Sequence, residues 1–192
     1  MADELIDIAN RNGQFTGEVA LKSEVHSKGL YHHTAHVWLY TLEGEILLQQ
    51  RAKTKAIHPL LWDVSVAGHV DSGESIEQGA LREMKEELGY TLTESDLTKI
   101  GVFDCFKSYD FGIIDNEFHN TFIAELKVPI SQLTPCKTEV EAIKLVNFKT
   151  FEDLLSQSKT NLHFIESNKA YYITVLKTIK QLFELFLSKR NI

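Results

Sequence analysis

The sequence predicts an α/β fold built on a mixed β-sheet. Three observations carry that expectation. Short runs rich in β-branched and aromatic residues are bounded by turn pairs such as Asn12-Gly13 and Glu43-Gly44. The apolar period then changes to four between Ser75 and Leu88, where Ile76, Ala80, Met84 and Leu88 recur. A second helical stripe, Tyr172, Leu176, Ile179, Phe183 and Phe186, runs along the segment from Lys169 to Lys189. Strands interleaved with a few helices belong to that class.

Taken in order, the opening residues alternate apolar runs with the turn signals Asn12-Gly13 and Thr16-Gly17, which predicts a small N-terminal hairpin. Residues 34 to 51 read as a longer hairpin, HVWLY going out, Glu43-Gly44 at the turn and EILLQQR coming back. LWDVSVAGHV is a short β-rich run. The helix from Ser75 ends at Gly89, the residue type that most easily takes the left-handed conformation after a last turn. Residues 97 to 106 and 117 to 128 are expected to be strands around a loop, KSYDFGIIDN. Residues 142 to 148 are expected to form another strand, and FEDLLSQ a short helix. The stripe on the last helix is expected to pack on the core, with a dimer interface as the alternative.

Composition narrows the function. With 192 residues, 43% of them apolar, the chain can bury one sizeable core. A net charge of −7 repels polyanions, so a nucleic-acid strand is not expected as partner, whereas a small phosphorylated ligand gripped through a metal stays open. Cys105 and Cys136 lack C-x-x-C spacing, which speaks against a disulfide framework or structural zinc and fits a reducing cytoplasm. MADELIDIAN is acidic rather than signal-like, and no stretch is apolar for the ~20 residues of a membrane span. A cytoplasmic protein without a membrane partner is expected, as monomer or homodimer.

GHVDSGESIEQGALREMKEELGY, residues 68 to 90, carries the chemistry. Residues three and four apart on a helix are neighbours, so Glu83, Glu86 and Glu87 gather on one edge, where like charges repel by a few tenths of a kcal/mol per pair. Two readings fit these residues alone: a solvated helix face, or carboxylates collected around a hard divalent cation such as Mg2+ or Mn2+.

The longer pattern decides between them. Gly68, five residues, Glu74, seven residues, then Arg82-Glu83-Met84-Lys85-Glu86-Glu87-Leu88-Gly89-Tyr90 resembles the Nudix box of the Nudix hydrolases, with Tyr90 where an aliphatic residue is usual. The resemblance implies a Nudix-type α/β/α sandwich across residues 1–160, including the N-terminal hairpin, with residues 161–192 as a C-terminal helix. It also implies attack of water on a diphosphate linkage, dependent on Mg2+ or Mn2+. Glu83, Glu86 and Glu87, with the backbone carbonyl of Ala67, would hold metal. Arg82 and Glu74 would orient Glu83. Chemically this suits a diphosphate, whose phosphorus is shielded by anionic oxygens until cations neutralise them.

Outside the box, RNGQFTGEVALKSEVHSKGLYHHTAHVWLY and LLQQRAKTKAIHPLLWDVSVAGHVDSGES resemble the branch of this family that contains type I isopentenyl diphosphate isomerase. That resemblance implies a second metal cage at His26, His33, His69, Asp115 and Glu117, and diphosphate-binding cations at Lys22, Arg51 and Lys55. The alternatives on the residues alone are structural histidines, a basic surface patch, and turn chemistry at Asp115 and Glu117. His32 and His36 are taken as structural and Glu117 as the first choice for general base. The isomerase thiol is missing: its position is Ala67, and a methyl group is neither acid nor base. Cys105 is expected to be a buried small hydrophobe, and both tryptophans, Trp38 and Trp62, stand early in the chain. The expected activity is hydrolysis of a small X-diphosphate. Isomerase activity and a non-catalytic diphosphate- or nucleotide-binding module are the alternatives.

Overall fold

The computed structural model describes residues 3–161 and 169–190. Strands β1 (Leu5–Ala9) and β2 (Phe15–Leu21) form the N-terminal hairpin, which turns at Gly13 with φ +76°. Thr16-Gly17 is no turn; it lies inside β2. A short helix that the sequence did not announce, α1 (Lys22–Lys28), follows directly and stops at Gly29 in the left-handed region. It buries Val25 against Ile6 and Ile8, a small satellite core beneath the hairpin.

The middle of the molecule is a parallel pair. β3 (Tyr31–Tyr40) and β8 (Ile114–Glu125) run side by side from Tyr31 opposite Asn116 to Tyr40 opposite Glu125. β6 (Val66–His69) lies antiparallel along β3, and β7 (Thr98–Ser108) along β8. β4 (Glu45–Arg51) follows β3 through a turn at Gly44 but pairs with it only at Tyr40 and Ile46. Its long partner is β9 (Val140–Asn147), and β5 (Trp62–Asp63) sits on its other edge. The expected 34–51 hairpin is therefore a split pair, opened because β4 satisfies its backbone on β9. The β7–β8 loop is shorter than expected, 109–113, so Asp115 and Glu117 lie within β8 rather than on a loop.

Helices cover both faces of the mixed sheet. Ala35, Val37 and Leu39 of β3 meet Ala80, Met84 and Leu88 of α2 (Ile76–Leu88). Trp38, Ile46, Leu48 and Ile123 point to the other side. There they meet Phe151 of α3 (Phe148–Ser156) and Tyr171, Tyr172, Val175, Leu176 and Ile179 of α4 (Lys169–Arg190). This is an α/β/α sandwich, as expected. Burying each such side chain contributes about 1.5–3 kcal/mol, enough to lock α4 to the sheet. No helix among the described residues is long and apolar enough to cross a membrane. The division expected at residue 161 falls beside residues 162–168, which lie outside the described ones.

Candidate functional site

The register of α2 is fixed at both ends. Ser75 Oγ accepts from Gln78 N at 3.1 Å while Gln78 Oε1 accepts from Ser75 N at 2.8 Å, and Gly89 ends the helix at φ +64°. On the edge so positioned, Arg82 is the hub. Its Nε and Nη2 donate to the two Glu74 oxygens at 2.9 and 3.0 Å, and Nη2 also to the His69 carbonyl at 2.9 Å. Nη1 donates to Glu83 Oε1 at 2.9 Å and to Glu86 Oε2 at 3.2 Å. Burial disfavours the Arg82 charge, but the bonds from Glu74 and Glu83 outweigh it and hold the guanidinium above its ordinary pKa.

The acidic edge is turned inward. The Glu83 side chain is 15% exposed and Glu87 is 5% exposed, against 60% for the Glu86 side chain. A Cβ on Gly68 would collide with the Glu83 carboxyl, so only glycine at this position of β6 leaves it room. Burial pushes the Glu87 carboxyl well up, with Glu83 adding to the shift and Lys55 opposing it; burial raises Glu83 as well. Gln49 Nε2 donates to Glu87 Oε2 at 3.1 Å, and Gln49 Oε1 is buried without a partner.

A cage of imidazoles adjoins this edge. His26 of α1, His32 of β3, His69 of β6 and Glu117 of β8 each offer a ligand atom within 4.8 Å of the others. His26 Nε2 faces His69 Nε2 at 3.0 Å, and His26 Nδ1 bonds Asp115 Oδ1 at 2.9 Å. His32 Nδ1 donates to the Leu30 carbonyl at 3.0 Å, which leaves a lone pair on Nε2. That Nε2 is buried without a hydrogen-bond partner, 3.7 Å from Glu117 Oε1.

His33 is not in the cage. Neighbouring residues of a strand point to opposite faces, and His33 turns away, its Nε2 on the Gly13 carbonyl at 2.9 Å and its Nδ1 beside Asn120 Nδ2 at 2.9 Å. His32, taken from sequence as structural, stands in its place. Asp115 lies behind His26 and orients it.

Glu117 has further partners. His119 Nε2 donates to Glu117 Oε2 at 2.8 Å. Burial opposes a charge on His119, but bonds to Cys105 and Glu117 raise its pKa to about 10. Glu117 in turn, although burial disfavours its charge, is held well below the ordinary carboxylate range, with the His119 bond as the main cause. Cys105 is half-buried opposite Glu117 in the β7–β8 register, so it borders the site rather than filling core. The sequence-selected cations surround these groups. Lys22 pairs with Glu4 at 2.7 Å, and its charge acts on both His69 and Glu83. Arg51 Nε donates to the Ile57 carbonyl at 3.0 Å, with Nη1 3.9 Å from Asp63. Lys55 pairs with Glu139 while its charge acts on Glu87. Lys107 Nζ beside His58 Nε2 at 3.2 Å, and Tyr109 beneath Lys107, join them without any signal in the sequence.

Comparison with known proteins agrees with this geometry. The NUDIX domain model matches residues 30–167. "Nudix hydrolase 3" of Arabidopsis thaliana is 35% identical over 82% of this chain, which spans only 21% of that longer protein. "Isopentenyl-diphosphate Delta-isomerase 2" of Photorhabdus laumondii is 29% identical over 81% of this chain and 84% of its own length. Among solved structures, DR0079 from Deinococcus radiodurans has the same fold, with a TM-score of 0.66 at 18% identity over 89% of this chain and 97% of that one. The box on β6 and α2, the sandwich around it and these likenesses together place the chain in the Nudix family, in a branch that also resembles the isopentenyl diphosphate isomerases.

Proposed function

We propose that the protein is a metal-dependent hydrolase that cleaves the phosphoanhydride bond of a small X-diphosphate. The observation that carries this reading is the inward turn of Glu83 and Glu87, two adjacent buried carboxylates that repel until a cation lies between them. The residues suit such an ion. Glu83, Glu86, Glu87 and the Ala67 carbonyl offer hard oxygens of the kind Mg2+ and Mn2+ prefer, while the unpartnered His32 Nε2 opens the imidazole cage to a softer ion. When bound, the ions supply neutralisation of the diphosphate and a more acidic water.

The remaining roles belong to this chain. Arg82, clamped by Glu74, holds Glu83 in one orientation. Lys22, Arg51 and Lys55 ring the site with positive charge for the phosphate oxygens. Glu117, kept ionised by the His119 bond, is the general base that takes the proton of the attacking water. The substrate is small and anionic; neither a nucleic-acid polymer nor a membrane enters this reading, and the setting is the cytoplasm. Glu83→Gln is expected to abolish metal-dependent phosphate release while the circular dichroism spectrum stays unchanged. Undiminished turnover of the variant refutes the proposal. Tight diphosphate binding without turnover in the wild type favours a binding module instead.

One observation supports a second reading, isomerisation of isopentenyl diphosphate: the Cys105 thiol borders Glu117, so a thiol and a carboxylate share the site although Ala67 carries none. Incubation with that substrate decides it, since only an isomerase produces dimethylallyl diphosphate.

A further inference from the structure

Glu117 lies between two sets of imidazoles. The first is His26, His32 and His69. The second is His36 and His119, farther along the same faces of β3 and β8, which with Glu117 offer ligand atoms within 4.8 Å of one another. The two rings of this second set stack with centroids 4.0 Å apart.

His36 is anchored from behind through Nδ1. Trp38 Nε1 donates to the Tyr171 hydroxyl oxygen at 2.6 Å, and the same oxygen lies 2.9 Å from His36 Nδ1. Among the described residues no protein group hydrogen-bonds to His36 Nε2, which lies on the side of Glu117 and His119. His36 is 8% exposed. A buried imidazole fixed through one nitrogen with the other unpartnered is how metal-binding histidines are commonly held.

We propose that His36, His119 and Glu117 form a second cation site, with Glu117 as the carboxylate shared between it and the His26–His32–His69 cage. Only the sharing rests on the cage being a metal site, as read under the proposed function. Two imidazoles and one carboxylate favour a borderline transition ion, such as Zn2+, Mn2+, Fe2+ or Co2+, over Mg2+. On binding, the ion replaces the proton between His119 Nε2 and Glu117 Oε2, and that proton leaves to solvent. With both its oxygens occupied by ions, Glu117 no longer accepts a proton from water. The second ion thus trades general-base capacity for a fixed pair of cations.

The test uses crystals of the metal-stripped full chain soaked in zinc chloride, with anomalous data collected above and below the zinc edge. Two peaks flanking Glu117 are expected, one of them bonded to His36 and His119. His36→Gln is expected to lose that peak and one equivalent of zinc by mass spectrometry while keeping the other. A single peak on His26, His32 and His69 overturns the second site and leaves the cage intact. A single peak on His36 and His119 upholds the second site and overturns the metal role of the cage. A map with neither overturns both. The wild-type map decides the matter even where His36→Gln does not fold.

Discussion

Glu87→Gln separates what Glu87 does for stability from what it does for function, and the two effects have opposite signs. Glu87 is 5% exposed, and both burial and Glu83 raise its pKa. A carboxyl whose folded pKa lies above its unfolded value stabilises the fold fully below the unfolded pKa, and that contribution is lost as pH rises through the folded one. Metal-free wild-type protein is thus expected to lose stability as pH climbs above about 4.5, by up to ~1.4 kcal/mol per pH unit until Glu87 is ionised. Glutamine imitates the protonated acid. It still accepts from Gln49 Nε2, and its amide can donate to Gln49 Oε1, which has no partner now. In EDTA at pH 8, urea unfolding is expected to show Glu87→Gln about 1–3 kcal/mol more stable than wild type, with the gap closing near pH 4. In Mg2+ or Mn2+ the order inverts: wild type gains stability by ligand linkage, the variant gains little, and its phosphate release falls by at least about 100-fold. If the variant is less stable than wild type in EDTA, by the same amount at every pH, the argument that Glu87 is a strained anion awaiting a cation fails.

Gly68→Ala forces its Cβ into the Glu83 carboxyl; kcat is expected to fall at least about 100-fold, while urea unfolding shows a loss of about 1–3 kcal/mol. Arg82→Lys keeps the charge but loses the two-pronged grip on Glu74 and the reach to the His69 carbonyl, so kcat should drop about 10–100-fold with KM little changed in steady-state kinetics. His119, raised from 6.5 to about 10, stabilises the metal-free fold fully below pH 6.5, a contribution lost as pH rises toward about 10; His119→Gln should flatten that part of the pH–stability curve. A chain ending at residue 161 exposes the side of the core that Tyr171, Tyr172, Val175, Leu176 and Ile179 cover, a loss on the order of 10 kcal/mol, comparable to the whole stability of a domain. It should show no cooperative melting transition, whereas a folded, active fragment would make α4 dispensable.

The acidic edge was legible because its spacing is local. Gly68, Glu74, Arg82, Glu83, Glu86 and Glu87 span one turn and one helix, and helical geometry alone puts the three glutamates on one side. The cage is assembled from residues 26, 32, 69 and 117 on four elements, so no local period announces it. α1 is only seven residues long, too short to display a stripe, which is why His26 had no predicted support. The exchange of His33 for His32 shows how sharp strand parity is: a slip of one residue moves a side chain from the site to the opposite face, against Phe15 and Phe118. The sequence does hold a signal that could have prevented it. His32, Thr34, His36 and Trp38 alternate along β3 while Asp115, Glu117, His119 and Thr121 alternate along β8, and the parallel register brings the two rows side by side. Polar residues at period two on adjacent central strands cannot all be turn chemistry or solvated surface, because both faces of this sheet are covered by helices. Most of them bond one another, His26 of α1, Tyr171 of α4 or a backbone carbonyl, and a lone pair such as His32 Nε2 that finds no protein donor is left for an ion.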